Sequence, residues 1–125
     1  MTIHESAEDY LESILMLRLE KGYARSVDIA QRLNVTKPSV SVAMKQLREN
    51  DYILMDDDNL ITLTEKGKAI AERIYDRHTT LTEYLVMLGV NRETAREDAC
   101  KMEHDLSEET FQTFKRLLKE GRQAE

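Results

Sequence analysis

The segment Asn34-Val-Thr-Lys-Pro-Ser-Val-Ser41 constrains this chain more than any other. Pro38, the chain's one proline, has no N–H to donate, so a helix containing it must place it in the first turn. Thr36, two residues earlier, has the hydroxyl of a good N-cap. A helix therefore starts at Thr36 and ends near Asn50, with Val40, Ala43, Met44 and Leu47 as its buried stripe. Before it, Ser26 is read as the N-cap of a short helix over 26–33 that turns Val27, Ile29, Ala30 and Leu33 inward. Only Asn34-Val35 is left to turn the chain, and two helices joined so tightly make a helix-turn-helix.

The flanking pattern extends this unit. A first helix is expected over 5–21, with Tyr10, Leu11, Ile14, Leu15 and Leu17 at helical spacing and Gly22 as its stop. Residues 52–63 read as two short β-prone runs joined by the polar turn Asp56 to Asn59, which after three helices makes a wing. A long helix then runs from Thr64 to about Leu88, with Ile70, Ile74, Leu81, Leu85 and Leu88 along one face. Gly67 falls in its first turns, where glycine costs less than mid-helix. Asn91 can cap a fifth helix to about Asp105, and Ser107 a sixth to about Glu120. The predicted fold is mainly α: a winged helix-turn-helix domain over 1–71 and a helical domain over 72–125. Phe111, Phe114 and Leu118 on the last helix are expected to offer a self-association surface, the alternative being that they are purely intramolecular core.

A formal charge of −6 argues against a nucleic-acid binder until its distribution is considered. Between Arg25 and Arg48, five bases (Arg25, Arg32, Lys37, Lys45 and Arg48) face one acid, Asp28, a local balance of +4. A helix start rich in small polar residues can enter the major groove. Arg25, Thr36, Lys37, Pro38, Ser39, Ser41, Lys45 and Gln46 are accordingly the candidate DNA-contacting residues. Asp56, Asp57 and Asp58 at the wing tip would repel phosphate, so recognition must lean on the third helix. Modest affinity for one module favours a homodimer on a palindromic double-stranded operator. The single Cys100 excludes an intramolecular disulfide framework, and no stretch approaches the roughly 20 apolar residues of a membrane span, so a soluble, cytoplasmic protein is expected.

Cys100-Lys-Met-Glu103-His104 places a thiol, a carboxylate and an imidazole at i, i+3 and i+4, where they can converge on one cation. Each feature has a plainer alternative, since helix faces carry such groups incidentally. Asp9 and Glu12 form an i, i+3 carboxylate pair beside the apolar stripe of the first helix. His78 falls on the apolar face of the long helix, where a hydrogen-bonded core histidine is the ordinary reading.

Taken with Glu8-Asp-Tyr-Leu-Glu12, Val35-Thr-Lys-Pro-Ser-Val-Ser41, Leu63-Thr-Glu-Lys-Gly67, Arg77-His78 and Asp98-Ala-Cys-Lys-Met-Glu-His104, nearly the whole chain resembles the iron- and manganese-dependent repressor family, of the diphtheria-toxin-repressor and manganese-transport-regulator type. The resemblance implies metal ligands at Asp9, Glu12, His78, Cys100, Glu103 and His104, the groups already singled out on chemical grounds. Manganese-type members carry carboxylates at the positions of Asp9 and Cys100, and iron-type members carry Met and Cys, so this chain is a hybrid. The ancillary site of the iron type uses Glu and His where this chain has Thr82 and Arg96. Its SH3-like domain has no counterpart here, so a short form is expected.

The expected function is therefore a metal-dependent repressor responding to Fe(II) or Mn(II), with Zn(II) or Co(II) binding in vitro. It is not expected to be an enzyme or to take a small organic substrate. The alternative is a winged-helix regulator or interaction module answering to a non-metal effector. A metallohydrolase would leave the helix-turn-helix idle, and no further acid or base stands at a suitable spacing.

Overall fold

The computed structural model describes residues 5–124, which divide into two compact units, one ending at Arg73 and one beginning at Ile74. The first contains α1 (Glu5–Lys21), α2 (Ser26–Leu33), α3 (Lys37–Glu49), β1 (Ile53–Met55) and β2 (Ile61–Leu63). The boundary falls within α4 (Glu65–Met87), and the second unit adds α5 (Arg92–Met102) and α6 (Glu108–Ala124). This is the mainly helical, winged helix-turn-helix architecture expected.

Local chemistry sets most element ends. Thr36 Oγ1 accepts from the Ser39 N–H at 3.2 Å and caps α3, with Pro38 in the first turn. The cap of α2 differs from expectation: Arg25, extended at φ −127°, is the N-cap, and Ser26 is already helical. The reason lies in the backbone, since the Arg25 carbonyl accepts from both Asp28 and Ile29 N–H groups at 3.1 Å. The tight turn is made by Asn34 at φ 54° and ψ 49°, a left-handed conformation that asparagine tolerates. Val27, expected inward, is 39% exposed, because the eight-residue α2 buries only Ile29 and Ala30 fully.

The wing is an antiparallel pair in which Ile53 faces Leu63 and Met55 faces Ile61. Strand alternation buries Ile53 and leaves Leu54 exposed. Asp56 folds the tip with its own side chain, Oδ1 accepting from Asp58 and Leu60 N–H at 2.9 Å each. Ile53 and Ile61 join Leu11, Ile14, Ile29, Val40, Met44 and Leu47 in one core that seats α3 against α1 and α2. Thr64 caps α4, its Oγ1 accepting from Gly67 N–H at 3.1 Å and donating to the Asp51 carbonyl at 2.6 Å. Gly67 is required by more than helix position, because a Cβ there would overlap the Tyr52 carbonyl oxygen.

In the second unit Ile74, Leu81, Ala95, Ala99, Phe111 and Leu118 are buried. Asn91 caps α5 through Glu93 and Thr94 N–H at 3.0 and 3.4 Å, and Ser107 caps α6 through Thr110 N–H at 3.1 Å. Three expectations change here. Leu88 lies in the turn after α4 and is exposed. Helix α5 ends at Met102 instead of near Asp105, and α6 continues past Glu120 to Ala124. Gly121 does not stop α6, because the Met87 thioether occupies the space its side chain would take. Of the residues expected as a self-association surface, Phe111 and Leu118 pack inside the unit, whereas Phe114 stays half-buried. Phe114 stacks on Tyr84 with ring centroids 5.0 Å apart.

Gly67→Ala tests the close approach. Helix propensity alone would favour alanine by about 1 kcal/mol, but overlap with a backbone carbonyl cannot be relieved by a rotamer. The expected net result is a loss of about 1–3 kcal/mol in urea unfolding; a gain in stability would show that the approach is loose.

Candidate metal centre and nucleic-acid face

Within the second unit, α4 and the end of α5 bring three different donors together. His78 projects from α4, Cys100 from the last turn of α5, and Glu103 is the C-cap residue of α5. Glu103 keeps helical dihedrals (φ −60°, ψ −25°) and its N–H bonds to the Ala99 carbonyl at 2.9 Å, so it stays on the Cys100 face although the helix has ended. His78 Nδ1 stands 3.0 Å from Glu103 Oε2 and 3.7 Å from Cys100 Sγ. One donor atom from each of the three lies within 4.8 Å of the others. Donors bound at about 2.0–2.3 Å to a shared ion lie at most about 4.6 Å apart, so this set fits a single cation with little adjustment.

Electrostatics agree with that fit. The Glu103 side chain is only 1% exposed, a costly place for a carboxylate unless it is compensated. His78 meets its Oε2, and His104 Nε2 lies 3.4 Å from its Oε1, so the two carboxylate oxygens face two different imidazoles. The Cys100 sulfur, and next the Glu103 carboxylate, outweigh burial and push the His78 pKa up from 6.5 to about 10. The cluster thus holds a positive charge in the form of a proton on the ring nitrogen a cation would need.

Arg77 is not a candidate ligand, yet it fixes this corner. It is 4% exposed, and its Nη1 donates to the carbonyls of Glu103 and Leu106 at 3.0 and 2.8 Å. Nη2 pairs with Glu108 at 3.0 Å, and the guanidinium lies 5.2 Å from the Phe111 ring centroid. Adjacent residues of α4 therefore hold the α5–α6 turn twice, Arg77 by its backbone and His78 by its acid. The sequence signal was no more than a basic residue beside a candidate ligand. Thr82 Oγ1 donates to the His78 carbonyl at 2.8 Å, and Arg96 is exposed on α5.

Asp9 and Glu12 belong to the first unit, one helical turn apart on α1, with Asp9 half-buried and Glu12 buried. Their neighbour Glu8 pairs with Arg73 at 2.6 Å. All eight candidate DNA-contacting residues, Arg25, Thr36, Lys37, Pro38, Ser39, Ser41, Lys45 and Gln46, are exposed. Thr36 takes the Ser39 N–H and Pro38 has none, so side chains, more than the helix start itself, are what this face presents to an anion. Asp57 and Asp58 are exposed at the wing tip.

The chain matches two family models end to end: iron dependent repressor, N-terminal DNA binding domain, over residues 2–59, and iron dependent repressor, metal binding and dimerisation domain, over 64–124. It is 40% identical over 110 residues to the transcriptional regulator MntR of Salmonella typhimurium, covering 88% of this chain and 70% of that protein. It is 41% identical over 102 residues to the HTH-type transcriptional regulator MntR of Bacillus subtilis, covering 82% and 72%. Among solved structures, IdeR of T. acidophilum superposes with a TM-score of 0.77 at 33% identity, covering 91% of this chain and 53% of that one. The manganese regulator SloR gives 0.79 at 28% identity, covering 95% and 55%. The chain thus spans about half the length of these solved structures.

Metal-free stability should report the His78 charge. Because folding raises this pKa from 6.5 to about 10, the stabilisation is complete below pH 6.5 and is lost as pH climbs through about 10. In urea melts with chelator present, His78→Gln should flatten that part of the stability–pH curve; an unchanged slope would place the proton elsewhere.

Proposed function

The chain belongs to the iron-dependent repressor family, and from that premise we propose that it is a transcriptional regulator whose hold on DNA depends on Fe(II) or Mn(II). The observation that carries the reading is the meeting of a ring nitrogen, a sulfur and a buried carboxylate at the end of α5. Nitrogen, sulfur and oxygen donors together suit a borderline divalent ion: a thiolate favours iron, cobalt or zinc, and carboxylates favour manganese and iron. Fe(II) satisfies both lists. Mn(II) stands beside it because the solved relatives include the manganese regulator SloR. Zn(II) and Co(II) are expected as binders in vitro.

Asp9, Glu12 and His104 complete the proposed ligand set with His78, Cys100 and Glu103. Bound there, the cation would supply the positive charge that lets carboxylates and a thiolate share one small volume. The chain's own part is to hold the donors: Arg77 fixes the turn bearing Glu103, and Cys100 and Glu103 share a face through helical dihedrals. Asp9 and Glu12 lie in the unit that carries α3, and the other four donors lie in the unit that follows it. Ligation by both groups ties DNA affinity to metal affinity, and each ligand then strengthens the other by the same factor.

On DNA, the exposed face of α3 reads the major groove, and Lys37, Lys45 and Arg25 meet phosphate. Two copies bound to a palindromic operator would make up for an acidic chain and an acidic wing, and repression of metal-uptake genes is the proposed output. The chain's family is one of transcriptional regulators, which sets a metallohydrolase aside. Among the described residues no helix is long and apolar enough to cross a membrane.

Duplex binding by the reduced protein, measured anaerobically against buffered Fe(II), Mn(II) and Zn(II), is the direct test, and binding indifferent to all three would end the proposal. Glu12→Ala and His104→Ala should each abolish metal-stimulated binding with helical content retained; a full response in both would remove them from the ligand set. Arg77→Lys keeps the charge but not the fork, and should weaken metal binding about 10–100-fold, the usual effect of losing a residue that orients ligands. Lys37→Ala should lower DNA affinity and reduce the salt slope by about one at unchanged metal affinity.

A further inference from the structure

Val42 is out of place for a soluble helix. In α3 the buried stripe is Val40, Met44 and Leu47, each at most 2% exposed, yet Val42 is 59% exposed in the middle of the opposite face. A β-branched residue also loses rotamer freedom in a helix, so Val42 gains nothing from the core and gives little to the helix. Its surroundings are specific. With Pro38, Ser39, Ala43 and Gln46 it lines a shallow hollow on the outer side of α3. Pro38 and Gln46 lie one turn before and after it, and Lys45 is exposed on the next turn. The hollow is therefore an apolar spot bordered by one hydroxyl, Ser39, and one amide, Gln46, inside the segment whose local charge is +4.

Resting on the reading of α3 as the DNA-facing helix, we propose that Val42 is a specificity-determining residue that recognises thymine through its 5-methyl group. The major groove offers one apolar base substituent, that methyl, and apolar side chains distinguish thymine by contact with it. The occupant follows from charge and position. The exposed bases of the same helix, Lys37 and Lys45, favour a polyanion over an apolar protein partner, and three residues of the hollow, Pro38, Ser39 and Gln46, are among those assigned to DNA. An aliphatic side chain here cannot exchange hydrogen bonds with a base edge, so it selects by shape and burial.

The experiment begins with selection of duplexes from a random library by the Mn(II)-loaded protein, followed by replacement of each thymine in the selected sequence by uracil, which lacks only the methyl. At one or more positions the wild-type protein should lose about fourfold in affinity, the factor corresponding to about 0.8 kcal/mol per buried methyl. Val42→Ala should bind the thymine duplex more weakly and lose that uracil sensitivity, with its melting temperature retained because the side chain is exposed. The proposal is overturned if no uracil substitution weakens wild-type binding, or if the same positions stay equally sensitive in Val42→Ala. If no duplex is retained with Mn(II), Fe(II) or Zn(II), the DNA reading itself fails and takes the Val42 assignment with it.

Discussion

A carboxylate buried as completely as Glu103 is the constraint on which the second unit is organised. Removing that charge from water costs several kcal/mol unless partners replace the lost solvation. Two imidazoles do so here, one for each oxygen. The price is charge in a confined space, and it falls on His78, which keeps its proton far above the usual range. A divalent cation bound at the same atoms, as proposed, would bring more charge than the proton it displaced. Arg77 holds the turn that carries Glu103, through its bonds to two carbonyls and to Glu108.

The same economy governs the first unit with the sign reversed. The chain is acidic overall, yet α3 carries Lys37, Lys45 and Arg48 exposed, while the acid Asp28 of α2 is paired with Lys21 at 3.3 Å and the base Arg32 with Glu20 at 3.0 Å. The wing spends Asp56 on its own turn and leaves two acids at the tip. A wing of that charge serves the fold more than it serves phosphate, since Ile53 and Ile61 are core residues that brace α3 from below. On the proposed reading, recognition would be confined to one helix face, and a single apolar side chain there would matter more than it would in a protein with a basic wing.

Where bonds are local, the sequence was legible. Thr36, Asn91 and Ser107 could be read as caps because a side-chain oxygen reaches a backbone N–H two or three residues away, and nothing distant competes. Ser26 carries the same signal and was overruled by the Arg25 carbonyl, which starts α2 a residue sooner. The end of α5 was not legible, since Glu103 and His104 are acceptable helix residues and the stop comes with tertiary bonds from Arg77. Phe111, Phe114 and Leu118 formed a clear apolar stripe, but periodicity says that a face is buried and not by what. In the candidate centre, Cys100 and Glu103 were legible as i and i+3, and His78 as a polar residue on an apolar face. Arg77 was not, because its partners are carbonyls on another element.

The three donors that the second unit brings together are graded in exposure, and the grading bears on selectivity. Glu103 is enclosed, His78 is 20% exposed at its side chain, and Cys100 is open to solvent. With a cation bound as proposed, the hard oxygen and the imidazole would accept manganese or iron with little discrimination, and preference among divalent ions would rest on the outermost atom, the sulfur. That atom is also the easiest to lose, because an accessible sulfur is oxidised before a buried one. In the proposed site a selective ligand at the rim would therefore bind two properties together: whatever favours iron over manganese would also expose the site to oxidation, and a carboxylate at position 100 would give up both at once.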